Sequence, residues 1–172
     1  VSAHRWIAAL AALACLAGTS PAIAAPPDQA RFEDFPAASF TGHRVQPSFA
    51  GGQRRFRLYR SMIRDGFDTA PLFGGSYVLI AVGCGTDCLH GYVGNVGTGA
   101  IYDFPMGGEI YPDLDWRISP TSRLVQVHWN DVGGATATRC QHEDLVWTGH
   151  AFTRRPVWTT SGGCEPFPGE PG

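Results

Sequence analysis

The sequence predicts a mainly β protein: an antiparallel meander sheet with one N-terminal amphipathic helix packed on it, held by two disulfides. Three observations carry that expectation. Short runs rich in β-branched and aromatic residues recur between clusters of Gly, Pro and Ser, the signature of successive hairpins. One early segment alone repeats its apolar residues with a helical period. Four cysteines, Cys84, Cys88, Cys140 and Cys164, follow a leader-like start, and an even number in an exported chain reads as two disulfides.

Residues 1–24 read as a secretory signal peptide. Arg5 gives a weakly basic start, Trp6 to Ala17 is apolar, and Ala22-Ile23-Ala24 offers small residues for processing before Ala25. The apolar run is shorter than the roughly 20 residues a bilayer requires, and no later stretch approaches that length. A membrane-embedded protein is not expected, and the expected location is periplasmic or secreted. Ala12-Leu13-Ala14 before Cys15 matches a lipid-attachment signal poorly.

Residues 25–52, rich in Pro, Ala and Gly, read as an extended N-terminal arm whose order must come from docking. Residues 53–172 read as a single β-rich domain with an irregular C-terminal tail. Within it, Phe56, Tyr59, Met62 and Ile63 predict one amphipathic helix from Gln53 to Asp65, stopped by Gly66. Tyr77 to Gly83 is an unbroken apolar run, expected as a strand buried on both faces with the helix covering one. Leu89 to Val96 and Ala100 to Phe104 follow as a hairpin through Gly97-Thr98-Gly99. Asp115 to Ile118 and Leu124 to Asn130 flank a turn at Ser119 to Ser122. In the second of these, Val125, Val127 and Trp129 alternate with Gln126, His128 and Asn130, which predicts a polar face open to solvent or ligand. Glu143 to Thr148 and Ala151 to Arg154 turn around Gly149-His150, and Pro156 onward reads as irregular.

Composition excludes several chemistries. All thirteen basic residues are Arg, so Schiff-base, P-loop and Ser-x-x-Lys mechanisms lack their ammonium group. Losing Arg5 with the leader leaves twelve Arg against fifteen acidic residues, a balance that argues against a nucleic-acid or anionic-membrane binder. Three disulfide pairings are possible. Short loops favour Cys84 with Cys88 and Cys140 with Cys164, the latter contributing about 3 kcal/mol in the chain-entropy description. Cys84-Gly85-Thr86-Asp87-Cys88 is one residue longer than a Cys-x-x-Cys redox motif, and its flanks read as strands. A structural bridge is the expectation.

The candidate ligand-binding residues fall in two groups. Arg57, Arg60 and Arg64 share one side of the predicted helix and could grip a carboxylate or phosphate, with Glu33, Asp34, Asp65 or Asp68 as neutralising neighbours. Matching the apolar faces of the second hairpin sets Ile118 beside Val125 and Trp116 beside Val127, and therefore Asp115 beside His128 and Arg117 beside Gln126. An Asp–His pair can orient an imidazole for general-base work, but an exposed cross-strand pair is the expected role. No Gly-x-Ser-x-Gly elbow accompanies it. His142, Glu143 and His150 lack the His-Glu-x-x-His spacing of a helical zinc site, so neither a metal nor a cofactor is expected. Asp113, Asp115 and Asp131 are a weak signal for paired glycosidase carboxylates. Trp116, Trp129, Trp147 and Trp158 read as packing residues rather than a sugar platform.

Phe73-Gly74-Gly75-Ser76-Tyr77, the apolar strand, and Gly83-Cys84-Gly85-Thr86-Asp87-Cys88 resemble segments of a group of uncharacterised secreted bacterial proteins. In that group an aromatic, small, Gly, x, Tyr segment precedes a Gly-Cys-Gly-Thr-x-Cys loop, with a later Thr-Gly turn like Thr98-Gly99. The resemblance covers roughly residues 57–104 and implies a fold and an exported location, not an activity. The group commonly has His and Asn where this chain has Ser76 and Leu72. No enzyme signature is present, so the expected function is an exported, non-catalytic binding domain for an envelope protein, a glycan or a small anionic ligand. The alternatives are a periplasmic hydrolase using Asp115 and His128, or a metal held by His142 and His150, and an inhibitor or immunity protein against an envelope-degrading enzyme.

Overall fold

The computed structural model describes residues 29–86, 88–131 and 139–167; the expected leader lies outside them. The protein is mainly β and antiparallel, with one long helical segment, a single 3₁₀ turn at Phe32–Asp34 and the two disulfides Cys84–Cys88 and Cys140–Cys164 among the described residues. The meander is divided rather than continuous. Strands β1 (Leu72–Phe73), β2 (Tyr77–Gly85), β3 (Cys88–Asn95) and β4 (Ala100–Gly107) form a first sheet in sequence order. Strands β5 (Asp115–Ile118), β6 (Leu124–Asn130), β7 (Arg139–Trp147), β8 (Phe152–Arg154) and β9 (Trp158–Ser161) form a second. Between β4 and β5, Pro112 brings no N–H to a ladder and Asp113 turns the chain at φ 53°. The chain therefore leaves the first sheet there and starts a new one.

The sheets pack face to face. Phe73, Leu79, Val93, Phe104 and Met106 of the first meet Val125, Val127, Leu145 and Trp147 of the second. Trp147 is the hub, 1% exposed and in edge or tilted contact with Phe73, Tyr77, Tyr102 and Phe152. The Phe73 to Tyr77 motif laces this interface together. Gly74 and Gly75 donate their N–H groups to the carbonyls of Ser122 and Pro120 in the β5–β6 turn, at 2.8 and 3.0 Å. Both glycines take positive φ, 54° and 85°, and a Cβ on Gly75 would collide with the Ala38 carbonyl oxygen of the arm.

The other face of β2 is covered by the helix, as its unbroken apolar run predicts: Val78, Ile80 and Val82 pack against Ile63 and Phe67. The helix itself departs from expectation. It begins as a 3₁₀ segment, Gly51–Tyr59, and continues as α1, Arg60–Thr69. The tighter winding rotates the apolar stripe, so Phe56, Ile63 and Phe67 are buried while Met62 stays 44% exposed. Gly66 does not stop the helix. A Cβ there would meet Ile80 Cγ1 and Cγ2 at 2.7 Å, so glycine serves close packing on β2.

Two further expectations are corrected on the second sheet. Its outer face is covered: Ala30, Phe32 and Phe35 of the arm pack against Leu124 and Val146. The Ala30 N–H donates to Asp144 Oδ2 at 2.7 Å, and Gln126 Nε2 donates to the Ala30 carbonyl at 2.8 Å. Gln126 and His128, on the face expected to be open to solvent or ligand, are each 3% exposed, and His128 lines a cleft. The tail is also more ordered than its Pro and Gly content implies. β8 and β9 both pair with β7, at Leu145–Trp147 and at Arg139–His142 respectively. They are one edge strand interrupted at Arg155-Pro156-Val157, where proline cannot donate to the ladder.

Candidate functional site

The β5–β6 register is the one the alternation predicts: Asp115 opposite His128, Trp116 opposite Val127, Arg117 opposite Gln126 and Ile118 opposite Val125. The second sheet extends that alignment across two more strands. His128 faces His142 on β7, and His142 faces Trp158 on β9. Asp115, His128, His142 and Trp158 therefore form one row perpendicular to four strands, on the face opposite the inter-sheet core.

The C-terminal segment closes over this row. Cys164 is bonded to Cys140 and its N–H donates to Asn130 Oδ1 at 2.8 Å, which brings Phe167 flat onto His128 at 4.2 Å between centroids and 12° between planes. His142 stacks on Trp158 at 5.3 Å and 10°, and the two imidazoles meet edge to face at 5.9 Å. A cleft of about 440 Å³ opens beside them, lined among others by Gln29, Trp158, Thr160, Ser161, Glu165 and Phe167. It is built from aromatic rings and small polar groups, and none of the residues lining it is Arg.

Electrostatics divide the row into two pairs. His128 Nε2 lies 3.6 Å from Asp115 Oδ2, and the Trp116 N–H donates to Asp115 Oδ1 at 2.7 Å. Burial pushes the Asp115 carboxyl up, but His128 and this N–H outweigh it and hold the group below the usual carboxylate range. His142 Nε2 sits 2.9 Å from Thr160 Oγ1. Burial, and secondarily the neighbouring His128, lower its pKa below the ordinary value and so favour the neutral ring. Among the described residues, the imidazole oriented by a carboxylate is not the one that meets a hydroxyl. A base relay from Asp115 to a Thr160 nucleophile is not assembled.

Arg57, Arg60 and Arg64 are exposed on the helix, beyond the far face of the first sheet, and do not converge with Asp115 and His128. Two of the three are engaged locally. Arg57 Nε donates to the Phe49 carbonyl at 3.1 Å, and the Arg64 guanidinium lies 5.4 Å from the Phe49 ring centroid. Three of the four acids expected to neutralise the row have other partners: Glu33 pairs with Arg31, Asp34 accepts from the Arg31 N–H, and Asp68 accepts from Gln46 Nε2. His142 and His150 line different cavities, the latter with Arg55, Tyr102 and Asp103. Among the described residues, the two metal-competent clusters are Cys84, Cys88, His90 and His128, Cys140, Cys164. Each contains both sulfurs of a disulfide, which offers no thiolate to an ion.

The pairing of Asp115 with His128 is legible in the sequence; the positions of Trp158 and Phe167 beside that pair are not. The β-branched and aromatic run from Val157 to Ser161 is the signal that marks the missing strand. Comparison with protein-family models, curated proteins and solved structures finds no match.

Proposed function

We propose that this protein is an exported, non-catalytic binding domain that seats a glycan in the cleft beside His142 and Trp158. The carrying observation is the row Asp115, His128, His142 and Trp158, roofed by Phe167, in a concavity that pairs aromatic surface with Thr160, Ser161, Gln29 and Glu165. Sugar rings present apolar faces ringed by hydroxyls, which suit flat aromatic walls with polar edges. None of the residues lining the cleft is Arg; Arg57, Arg60 and Arg64 stand on the helix that covers the first sheet, and the Arg117 guanidinium, 5.6 Å from the Phe167 ring, is bonded to Gln126 Oε1. The two disulfides support export to an oxidising compartment.

Titration with a panel of neutral oligosaccharides, followed by the NMR signals of the imidazole and indole groups, tests the reading. Binding should shift His142 and Trp158, and Trp158→Ala should weaken it roughly tenfold, the loss of one good stacking contact. A panel that leaves these signals unmoved, or a Trp158→Ala protein that binds equally well, would overturn it.

A further inference from the structure

The Cys84–Cys88 bridge stands at the tip of the β2–β3 hairpin, in the first sheet and separate from the cleft. The ladder runs in register to Gly83 opposite Leu89, then shifts so that Gly85 rather than Cys84 faces Cys88. Cys84 is the extra residue of a bulge. A bulge re-aims its side chain, and Cys84 is an exposed residue. Cys84 is exposed and Cys88 half-buried, whereas in the other bridge Cys164 is half-buried and Cys140 only 2% exposed.

A histidine completes the arrangement. A ring nitrogen of His90 and the two sulfurs lie within 4.8 Å of one another. His90 faces Gly107 across the β3–β4 ladder, and its Nδ1 is 3.3 Å from where a Cβ on residue 107 would stand. The same Cβ would stand 2.6 Å from the Leu89 carbonyl oxygen, so glycine there serves the close backbone approach first and the imidazole second. A small cavity of about 200 Å³, lined by Gly85, Cys88, Leu89, Asp113 and Leu114, adjoins the bridge on the side of the leaving Cys88 sulfur.

The bridge has little architectural work to do. It closes a separation of four residues, against 24 for Cys140–Cys164, so it restrains the unfolded chain less. The ladder contacts Gly83–Leu89 and Gly85–Cys88 already hold the hairpin. An exposed bridge beside an imidazole is the setting in which exchange is fast, because attack needs access and departure needs a stabilised thiolate. Both flanks are strands, so the stabilisation that a helix N-terminus gives in Cys-x-x-Cys proteins is replaced by a side chain.

We infer that Cys84–Cys88 is a thiol–disulfide exchange site for small or protein thiols, with His90 assisting departure of the Cys88 sulfur. A thiolate RS⁻ attacks Cys84 Sγ, the Cys84–Cys88 bond breaks, and its electron pair leaves on Cys88 Sγ, which accepts a hydrogen bond and then a proton. The product is a mixed disulfide between Cys84 and R. A second thiolate attacks the R sulfur and releases RSSR, so two RSH become RSSR while the bridge becomes two thiols. His128 and Cys140–Cys164 do not offer the same chemistry, since Asp115 and Phe167 engage that imidazole and Cys140 is buried.

Timed reduction of the folded protein with glutathione, with alkylation and peptide mass mapping, tests the inference. Cys84 and Cys88 should be alkylated first, with Cys140–Cys164 intact. His90→Ala should slow their opening by about tenfold, a size expected when a leaving thiolate loses its stabilising partner, and added imidazole should restore most of the rate. Far-UV circular dichroism checks that the variant is folded. Equal opening rates for both bridges would overturn the inference, as would a His90→Ala rate unchanged from the parent or a deficit that imidazole does not repair. Glycan titration of the same protein is unaffected by either result, so the cleft is tested separately.

Discussion

Phe167 lies parallel to the His128 imidazole, 4.2 Å away, and is held there by the Cys140–Cys164 bridge three residues earlier in the chain. The contact makes the floor of the cleft depend on a covalent tether 24 residues in span. Replacing both cysteines, Cys140→Ser with Cys164→Ser, should therefore lower unfolding free energy by about 3 kcal/mol. Urea unfolding measures the loss. The His128 ring signals should also lose the upfield displacement that stacking on Phe167 imposes, and a variant keeping both stability and these shifts would show the tether to be dispensable.

His142 predicts a pH dependence. Its pKa is lowered in the folded protein by burial, and secondarily by His128, from an ordinary value of 6.5. Below that value the unfolded chain binds a proton that the folded one resists, so stability is fully present above it and falls as pH drops towards the folded value. Urea midpoints should decline from pH 7 to pH 5, and His142→Gln should flatten that decline. Asp115, held below the carboxylate range, adds a further loss only at more acid pH. An unchanged slope in His142→Gln would place the titrating group elsewhere.

Glu143 is 1% exposed and receives two hydrogen bonds from Arg154, at 2.6 and 2.5 Å. The Glu143 carboxylate raises the Arg154 pKa further above its ordinary value. Arg154→Ala leaves a buried carboxylate without its cation. Breaking such pairs costs about 3–5 kcal/mol when both partners are buried, but the Arg154 side chain is 43% exposed, so water recovers part of that and about 2 kcal/mol is expected. Adding Glu143→Gln to Arg154→Ala should recover much of the loss in chemical denaturation. A double variant as unstable as the single one would mean that packing of the arginine stem, not charge, is what matters.

At Gly66 two effects oppose each other. Alanine gains about 1 kcal/mol of helix propensity, yet its Cβ would stand 2.7 Å from two Ile80 carbons. Overpacking of this kind costs about 1–3 kcal/mol. The steric cost should win, lowering the melting temperature of Gly66→Ala. Shortening the obstacle with Ile80→Val should reverse part of the loss in the double variant, because Gly66 and Ile80 are in direct contact.

Much of this architecture was readable from residue order because local rules operate over short separations. The alternation of Val125 and Val127 with Gln126 and His128, matched to Trp116 and Ile118, sets the β5–β6 register, since a slip by one residue would turn every apolar side chain outward. Short loops likewise favoured the two disulfide pairings found. Burial of Gln126 and His128 was beyond such reasoning, because the groups that meet them, Ala30 on Gln126 and Phe167 on His128, come from the two ends of the described chain. The row from Asp115 to Trp158 was hidden for a related reason: Pro156 disguises β9 as tail, and only pairing with β7 restores it as a strand. Alternation and loop length act between near neighbours and so belong to the sequence. Which face is covered, and which side chains meet in the cleft, depend on contacts between distant segments whose free energy exists only once the two sheets are packed.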